Sequence, residues 1–259
     1  MLVPVKELGL AKSRLRGALP GVPHPDLVLA LVLDTLAAAL ACPAVAEVLV
    51  VTADEAVAAA ARGLGAKVLP DPPPGLNPAL EHAAAAAGGG ALAALAADLP
   101  ALRGADLAVT LTAATGRGFV PDRSGTGTTL LAASPGVPLQ PRFGPGSARL
   151  HAASGALVLP AAPSLRHDVD TPADLAAAAP LGLGPRTVRL IGVQGTVATF
   201  DEATGAGTVL LDDGTRIDFP AAAFGASGLR LLRLGQRVRL ERAGDGTVTA
   251  LALITMPTG

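Results

Sequence analysis

Short apolar runs recur through the first hundred residues, and each of three is followed within two positions by a lysine or an aspartate. Residues 2–5 end against Lys6, residues 47–52 precede Asp54, and residues 91–97 precede Asp98. A fourth run lies at residues 66–69. Between the runs lie segments of helical character at residues 26–41, 54–63 and 77–87. Asp26 is placed to cap the first of these after Pro25. A β-α-β-α-β-α-β series of this kind closes only as a mostly parallel sheet with helices on both faces. Strands buried on both faces read as continuous apolar runs rather than alternating ones. The run at residues 91–97 is so rich in alanine that its β-propensity is poor, and it is read as a strand because Asp98 follows it. In such sheets the ligand lies beyond the carboxyl ends of the strands. Lys6, Asp54 and Asp98 all fall there.

Composition agrees with that layering and removes several function classes. Half of the 259 residues are apolar, yet there are only five Phe and no Trp or Tyr. A core of Ala, Leu and Val suits helices packed closely on a sheet. The net charge of −1 supplies no basic field for nucleic acid or an anionic membrane surface. The most hydrophobic stretch, residues 27–41, is interrupted by Asp34 and is too short to span a bilayer. Lys6, Glu7, Lys12, Arg14 and Arg16 leave no room for a secretory signal at the start. A single cysteine, Cys42, excludes an internal disulfide framework and reads as a small buried apolar side chain. A cytoplasmic protein is expected. Lysine occurs only at positions 6, 12 and 67, every other basic residue being Arg, so two of the three lie in the first dozen residues.

The pattern changes near Leu183-Gly184-Pro185-Arg186-Thr187. Beyond it come short alternating segments at residues 191–200, 208–212, 216–219, 237–242 and 248–254, divided by Gly-Asp turns. Helical periodicity is confined to residues 229–234. Strands and turns at this spacing indicate a small all-β barrel or sandwich. Two domains are expected, residues 1–187 and 188–259.

The chemistry-bearing residues cluster in four places. Asp98 stands at the end of an apolar run with Pro100 two positions on, so it either projects into the cleft as a metal ligand or caps a helix before Leu102. In His167-Asp168-Val169-Asp170-Thr171-Pro172-Ala173-Asp174, an extended Asp-x-Asp points both carboxylates to one side. Thr171-Pro172 then opens a helix, so Asp170 or Thr171 can serve as a cap, and Asp168 is the better metal ligand. Ser124-Gly125-Thr126-Gly127-Thr128 can converge backbone N–H groups into an anion nest, and Gly144-Pro145-Gly146-Ser147 precedes a segment able to form a helix. Taken singly, each loop reads first as an ordinary turn. His151 either bonds a phosphate or caps its own loop. Neither loop is a P-loop or a dinucleotide fingerprint. Lysines and Arg14 near the start, two acids suited to Mg²⁺ and two loops suited to anions fit phosphoryl or nucleotidyl transfer.

The segments VPVK, AKSRL, GLNPAL, DLPAL, GTGTTLL, PRFGPGS, RHDVDTPADL and LGLGPRT follow one another between residues 3 and 187. Together they resemble the phosphoenolpyruvate / 2-phospho-L-lactate guanylyltransferases of coenzyme F-420 biosynthesis. The resemblance implies an α/β nucleotidyltransferase fold of the glycosyltransferase-A type, with GTP and phosphoenolpyruvate as substrates and pyrophosphate as product. It further implies that Asp98 and Asp168 hold Mg²⁺ with Asp170 nearby. Lys6, the Thr128 backbone, Gly144 and Ser147 would grip the acceptor, Lys12 and Arg14 would face the triphosphate, and Asn77 would face the nucleotide. Related sugar nucleotidyltransferases carry a Gly-Gly pair where this chain has Lys6-Glu7-Leu8-Gly9, so their residues do not transfer there. The acceptor stays open among phosphoenolpyruvate, 2-phospho-L-lactate and, within the same fold, 3-phosphoglycerate or a molybdenum cofactor. The Arg-heavy, Ala-rich composition of a high-GC bacterium favours the first.

The second domain resembles a cold-shock-type barrel, but its base-stacking platform is missing. Gly207-Thr208-Val209-Leu210 stands where a Gly-Phe-Gly-Phe strand is expected, and Thr199 replaces an aromatic. Stacking supplies about 1–3 kcal/mol per base in single-strand binding. Weak nucleic-acid affinity at most is therefore expected, with a docking or stabilising role for the domain. A homodimer and docking onto a downstream enzyme of the same biosynthesis are the partner arrangements considered. A non-enzymatic RNA-binding protein is the contrasting reading.

Overall fold

The computed structural model describes every residue except 20–21, 71, 212, 244–245 and 254–259. Asp212 and Ile254, which bound segments read from the sequence, lie outside the described residues. The chain divides into two units, Met1–Ala18 with Pro23–Thr187 and Leu19–Val22 with Val188–Gly259.

In the first unit β1 (Leu2–Pro4) leads to α1 (His24–Leu40), β2 (Leu49–Val51), α2 (Glu55–Gly63), β3 (Lys67–Leu69), α3 (Leu76–Ala86) and β4 (Leu92–Leu95). Then come α4 (Gly104–Thr112), β5 (Arg117–Pro121), β6 (Thr128–Ala133), α5 (Ser147–Ala153), β7 (Leu157–Val158), α6 (Pro163–Arg166) and α7 (Pro172–Ala178). The seven strands order as β3-β2-β1-β4-β6-β5-β7. β1, β2, β3 and β4 run parallel, while β6 is antiparallel to both β4 and β5. The sheet is mixed and mostly parallel, as the alternation of runs and helices requires.

Its three-layer build is visible residue by residue. Val3, Val50, Ala93, Leu95, Val120 and Leu130 pack into one apolar cluster with α1, α2 and α4. Their neighbours Leu2, Val51, Ala94, Phe119 and Leu131 pack into another with α3 and α5. Successive side chains of a strand face opposite ways, so covering both faces demands apolar residues at every position. The alanines of β4 keep that central strand thin where helices cross it on either side.

Helix starts differ in detail from expectation. α1 begins at His24, so Asp26 lies within its first turn instead of capping it; Pro25 presets the backbone of that turn. Asp54 caps α2 through the N–H groups of Ala56 and Val57, and its other oxygen accepts from the Leu8 N–H at 2.9 Å. It ties the segment after β1 to α2. Asp98 caps nothing, since the next helix starts at Gly104.

α1 also anchors the end of this unit. Buried Asp34 accepts the N–H groups of Arg186 (3.2 Å) and Thr187 (2.8 Å), and its neighbour Thr35 accepts the Leu99 N–H at 2.9 Å. The Gly184 N–H donates to the Pro100 carbonyl at 2.7 Å. A Cβ on Gly184 would come within 2.3 Å of the Asp34 carboxyl carbon, so the close approach requires glycine. The Leu-Gly-Leu-Gly-Pro-Arg-Thr stretch is thus pinned to α1 and to the turn after Asp98. α8 (Pro185–Ile191) then carries the chain across the division.

The second unit holds β8 (Val193–Phe200), β9 (Gly207–Leu211), β10 (Arg216–Phe219), α9 (Ala221–Ala226), β11 (Arg237–Arg242) and β12 (Val248–Leu253). They form one antiparallel sheet in the order β10-β9-β8-β11-β12. Among the described residues β10 and β12 are its two edges. The small β unit expected is this sheet; α9, which follows Pro220, is a helix the sequence pattern did not indicate, while residues 229–234 are not helical. Pro220 ends the strand and Ala221-Ala222-Ala223 has high helix propensity. Phe200 packs against Phe219 and Phe224 at ring-centroid distances of 6.4 and 4.7 Å. Phe200 thus contacts both of the other aromatic rings of this unit.

Candidate active site

The carboxyl ends of β1, β4 and β5 and the start of antiparallel β6 meet at one edge of the sheet. Lys6 follows β1, Asp98 follows β4, Asp122 follows β5 and Thr128 opens β6. These four, with Lys12, Gly144, Ser147, Asp168 and Asp170, line a cavity of about 470 Å³ floored by Leu31, Val32, Leu80 and Leu95.

The acids converge because of local pairing. The Val169 N–H donates to the Asp98 carbonyl at 3.0 Å, holding the Asp-x-Asp segment beside the strand-end turn. Val169 is fully buried, so Asp168 and Asp170 project the other way, into the cavity. Thr171 caps α7 and forms a reciprocal capping box with Asp174, which fixes where the segment ends. The Lys12 ammonium bonds the carboxylates of both Asp98 and Asp170. Burial pushes the Asp168 carboxyl above its ordinary range; the charges of Asp170 and Asp122 push the same way, and its own backbone N–H and the Lys12 ammonium oppose them.

Mg²⁺ is the metal expected from the resemblance, and the donor set fits it. Asp98 and Asp170 share one cation already, the Lys12 ammonium, so their oxygens converge on a point suited to positive charge. Among the described residues no three acidic, imidazole or thiol groups form a ready-made cage. Mg²⁺ commonly takes one or two carboxylates and completes its shell with water and substrate phosphate.

The two glycine-rich loops are built differently from an open nest. The first is the β5–β6 hairpin turn, and Asp122 fills it. Its carboxylate accepts the Thr126 and Gly127 N–H groups at 3.0 and 2.9 Å and the Ser124 hydroxyl at 2.8 Å. A Cβ on Gly127 would lie 2.4 Å from the Asp122 carboxylate. In the second loop the Ser147 N–H donates to the Gly144 carbonyl, and the Ala148 N–H donates to the Thr126 carbonyl, both at 3.1 Å. The Thr126, Gly127, Ser147 and Ala148 N–H groups are therefore engaged within the protein. Side chains do the facing instead: Ser147 Oγ donates to Thr128 Oγ1 at 3.1 Å at the cavity wall.

His151 joins these parts. The Arg142 N–H donates to Nε2 at 3.0 Å, so the neutral ring carries its proton on Nδ1, which donates to Thr128 Oγ1 at 2.9 Å. The ring is fully buried, 5.8 Å from the Phe119 ring and 5.2 Å from that of Phe143. Burial lowers its pKa from 6.5 to about 4, helped by the charges of Arg117 and Arg142.

Two residues expected at the site lie outside the lining of this cavity. Asn77 does not line the cavity; its amide pairs with the Phe143 backbone, donating to the carbonyl at 3.0 Å and accepting the N–H at 2.8 Å. Arg14 lies exposed in a 3-10 turn (Ser13–Leu15) outside the lining. Asp122 was missed: its carboxylate bonds backbone four and five positions on, a reach that only the hairpin creates. Arg166 also escaped notice: its guanidinium donates to the carbonyls of Pro121 (3.1 Å) and Asp122 (3.0 Å), bracing the hairpin.

No helix among the described residues is long and apolar enough to cross a membrane. The described fold is similar to a solved structure from Desulfovibrio desulfuricans G20, named as a nucleotide-diphospho-sugar transferase. The TM-score is 0.50 at 18% identity, over 66% of this chain and 81% of that one. Two relatives named phosphoenolpyruvate guanylyltransferase are far more similar. That of Salinispora arenicola is 61% identical over 204 residues, 76% of this chain and 95% of its own. That of Geodermatophilus obscurus is 57% identical over 201 residues, 74% of this chain and 93% of its own. Residues 1–153 match the family described as "Guanylyl transferase CofC like". The cavity at the sheet edge thus lies in a chain that belongs to the CofC-like guanylyl transferase family.

Proposed function

We propose that the chain transfers GMP from GTP to phosphoenolpyruvate in the biosynthesis of coenzyme F-420. An acceptor phosphate oxygen attacks the α-phosphorus, the bond to the β-phosphate bridging oxygen breaks, and pyrophosphate leaves. The observation that carries this reading is the meeting of Lys6, Thr128, Gly144 and Ser147 with Asp98, Asp168 and Asp170 around one cavity. Lys6 brings a cation and Thr128 and Ser147 bring hydroxyls to the acceptor. Lys12 and Arg14 are left for the triphosphate. Asn77, through Phe143, shapes the acceptor loop rather than touching the nucleotide. Asp98, Asp168 and Asp170 would hold Mg²⁺, which when bound supplies charge neutralisation at the transferring phosphoryl group. The apolar floor limits water around the reacting anions, so each fixed charge acts more strongly there.

The second unit takes no part in this chemistry. An alignment using 95% of the Salinispora arenicola protein leaves about a quarter of this chain unmatched. Its aromatic rings are packed on one another, which supports a docking or stabilising role over RNA binding.

The test supplies GTP and Mg²⁺ with phosphoenolpyruvate, 2-phospho-L-lactate or 3-phosphoglycerate and follows pyrophosphate release. Phosphoenolpyruvate is expected to give the highest kcat/KM. Turnover with another acceptor and none with phosphoenolpyruvate overturns the substrate assignment.

A further inference from the structure

We propose that His151 is a positioning residue for acceptor binding, holding the Thr128 hydroxyl and the Arg142–Phe143 turn at the spacing needed to grip the acceptor's anionic group. The inference rests on the cavity taking a phosphorylated acid. Its basis is the pattern of bonds around a buried ring. His151 receives a backbone N–H on one nitrogen and gives a proton to a hydroxyl from the other. Only a group that donates at one end and accepts at the other can join these partners, and neutral imidazole does so at fixed distance.

The consequence falls on Thr128. Its Oγ1 accepts from His151 Nδ1 and from Ser147 Oγ. With both lone pairs engaged, the hydroxyl proton of Thr128 is left to donate to the anion in the cavity. A Thr128 without the ring could accept or donate at random, and its rotamer would be free. At the other end, Arg142 leads directly into Phe143 and Gly144. The Phe143 backbone is also clamped by Asn77 and its ring meets the edge of His151. His151 therefore fixes both walls of the acceptor site from behind while touching nothing in the cavity itself.

A purely structural histidine would, when replaced, lower stability and weaken both substrates alike. A positioning one acts on the acceptor alone. The experiment compares full-length wild type, His151→Leu and His151→Gln, with folding checked by circular dichroism and KM measured separately for acceptor and GTP. His151→Leu keeps apolar volume and loses both bonds, and a tenfold to hundredfold rise in acceptor KM is expected, the range one or two lost hydrogen bonds produce. KM for GTP should stay within about twofold, in line with a site the ring does not reach. His151→Gln, able to donate and accept, should recover part of the loss. If His151→Leu fails to fold, the same comparison is made between His151→Gln and wild type, where a smaller but still acceptor-selective rise is expected. Equal rises in both KM values, an unchanged acceptor KM, or no recovery by Gln in a folded pair overturns the proposal. A ¹⁵N spectrum of wild type showing the proton on Nε2 at neutral pH does so as well. Wild type is first assayed with each acceptor. If it uses another phosphorylated acid, the substrate reading fails while the His151 proposal is judged on that acid's KM.

Discussion

The Lys12 ammonium stands between the carboxylates of Asp98 and Asp170, the position at which acids of this kind gather a cation. The lysine backbone is left-handed there, with φ of 51°, which few non-glycine residues adopt. Lys12→Met removes the tethered cation. Affinity of the nucleotide-free protein for Mn²⁺ should rise about two- to fivefold, the range of a partly exposed ion pair, while guanylyl transfer falls. Calorimetric titration with Mn²⁺ measures this; an unchanged affinity shows that the ammonium and the metal do not compete.

Burial, with the charges of Asp170 and Asp122, raises the Asp168 carboxyl above its ordinary range against the opposing pull of its own backbone N–H and the Lys12 ammonium. Asp168→Asn should therefore leave the melting temperature unchanged or raise it. Turnover should fall by at least about a hundredfold, as expected for loss of a group facing the transferring phosphoryl. Asp98→Ala should likewise abolish turnover in a folded protein. Wild-type rates in either variant remove the metal assignment.

Asp122 gathers two N–H groups and a hydroxyl of its own hairpin. Asp122→Ala leaves those donors unpaired and should cost about 1–3 kcal/mol, or some 2–4 °C of melting temperature per kcal/mol. Gly127→Ala should loosen the same loop by driving a methyl into the carboxylate. Differential scanning calorimetry with acceptor KM measurements tests both: a loop that only covers the surface would move neither.

The His151 imidazole stays neutral in the fold down to about pH 4, against an ordinary value of 6.5. As pH falls below 6.5 the unfolded chain takes up the proton and the folded one does not. The stabilisation is thus complete above pH 6.5 and is lost progressively between 6.5 and 4, about 3 kcal/mol in all. Urea midpoints of wild type and His151→Gln should diverge above pH 6.5 and converge near pH 4. A titration of the ring near 6.5 by NMR contradicts this.

Phe219 is buried, and Phe200 packs against both Phe219 and Phe224, so these rings are engaged with one another and not set out as a stacking platform. Full-length protein should bind labelled single-stranded RNA with Kd no tighter than about 10⁻⁶ M at physiological salt. Nanomolar binding in fluorescence anisotropy would restore the RNA reading.

What could be read from the chain was whatever a strand's own residues carry. Continuous apolar runs announced the buried strands β1, β2 and β4, and the positions just after them held Lys6 and Asp98. The Asp-x-Asp pair was legible because period two needs no distant partner. Contacts between distant segments were not legible. Asn77 and Phe143 are 66 residues apart, and nothing near Asn77 indicates that its amide is engaged there. The two loops looked open because glycines and hydroxyls suit a nest; that Asp122 fills one and Thr126 closes the other depends on the hairpin. α9 was overlooked because a strand pattern on either side outweighed three alanines after a proline.

Asp34 gives the chain a natural joint. Because its carboxylate secures Arg186 and Thr187 before the second unit begins, the transferase body ends in a finished seam. Evolution can attach, exchange or discard a module beyond such a seam without reshaping the catalytic pocket.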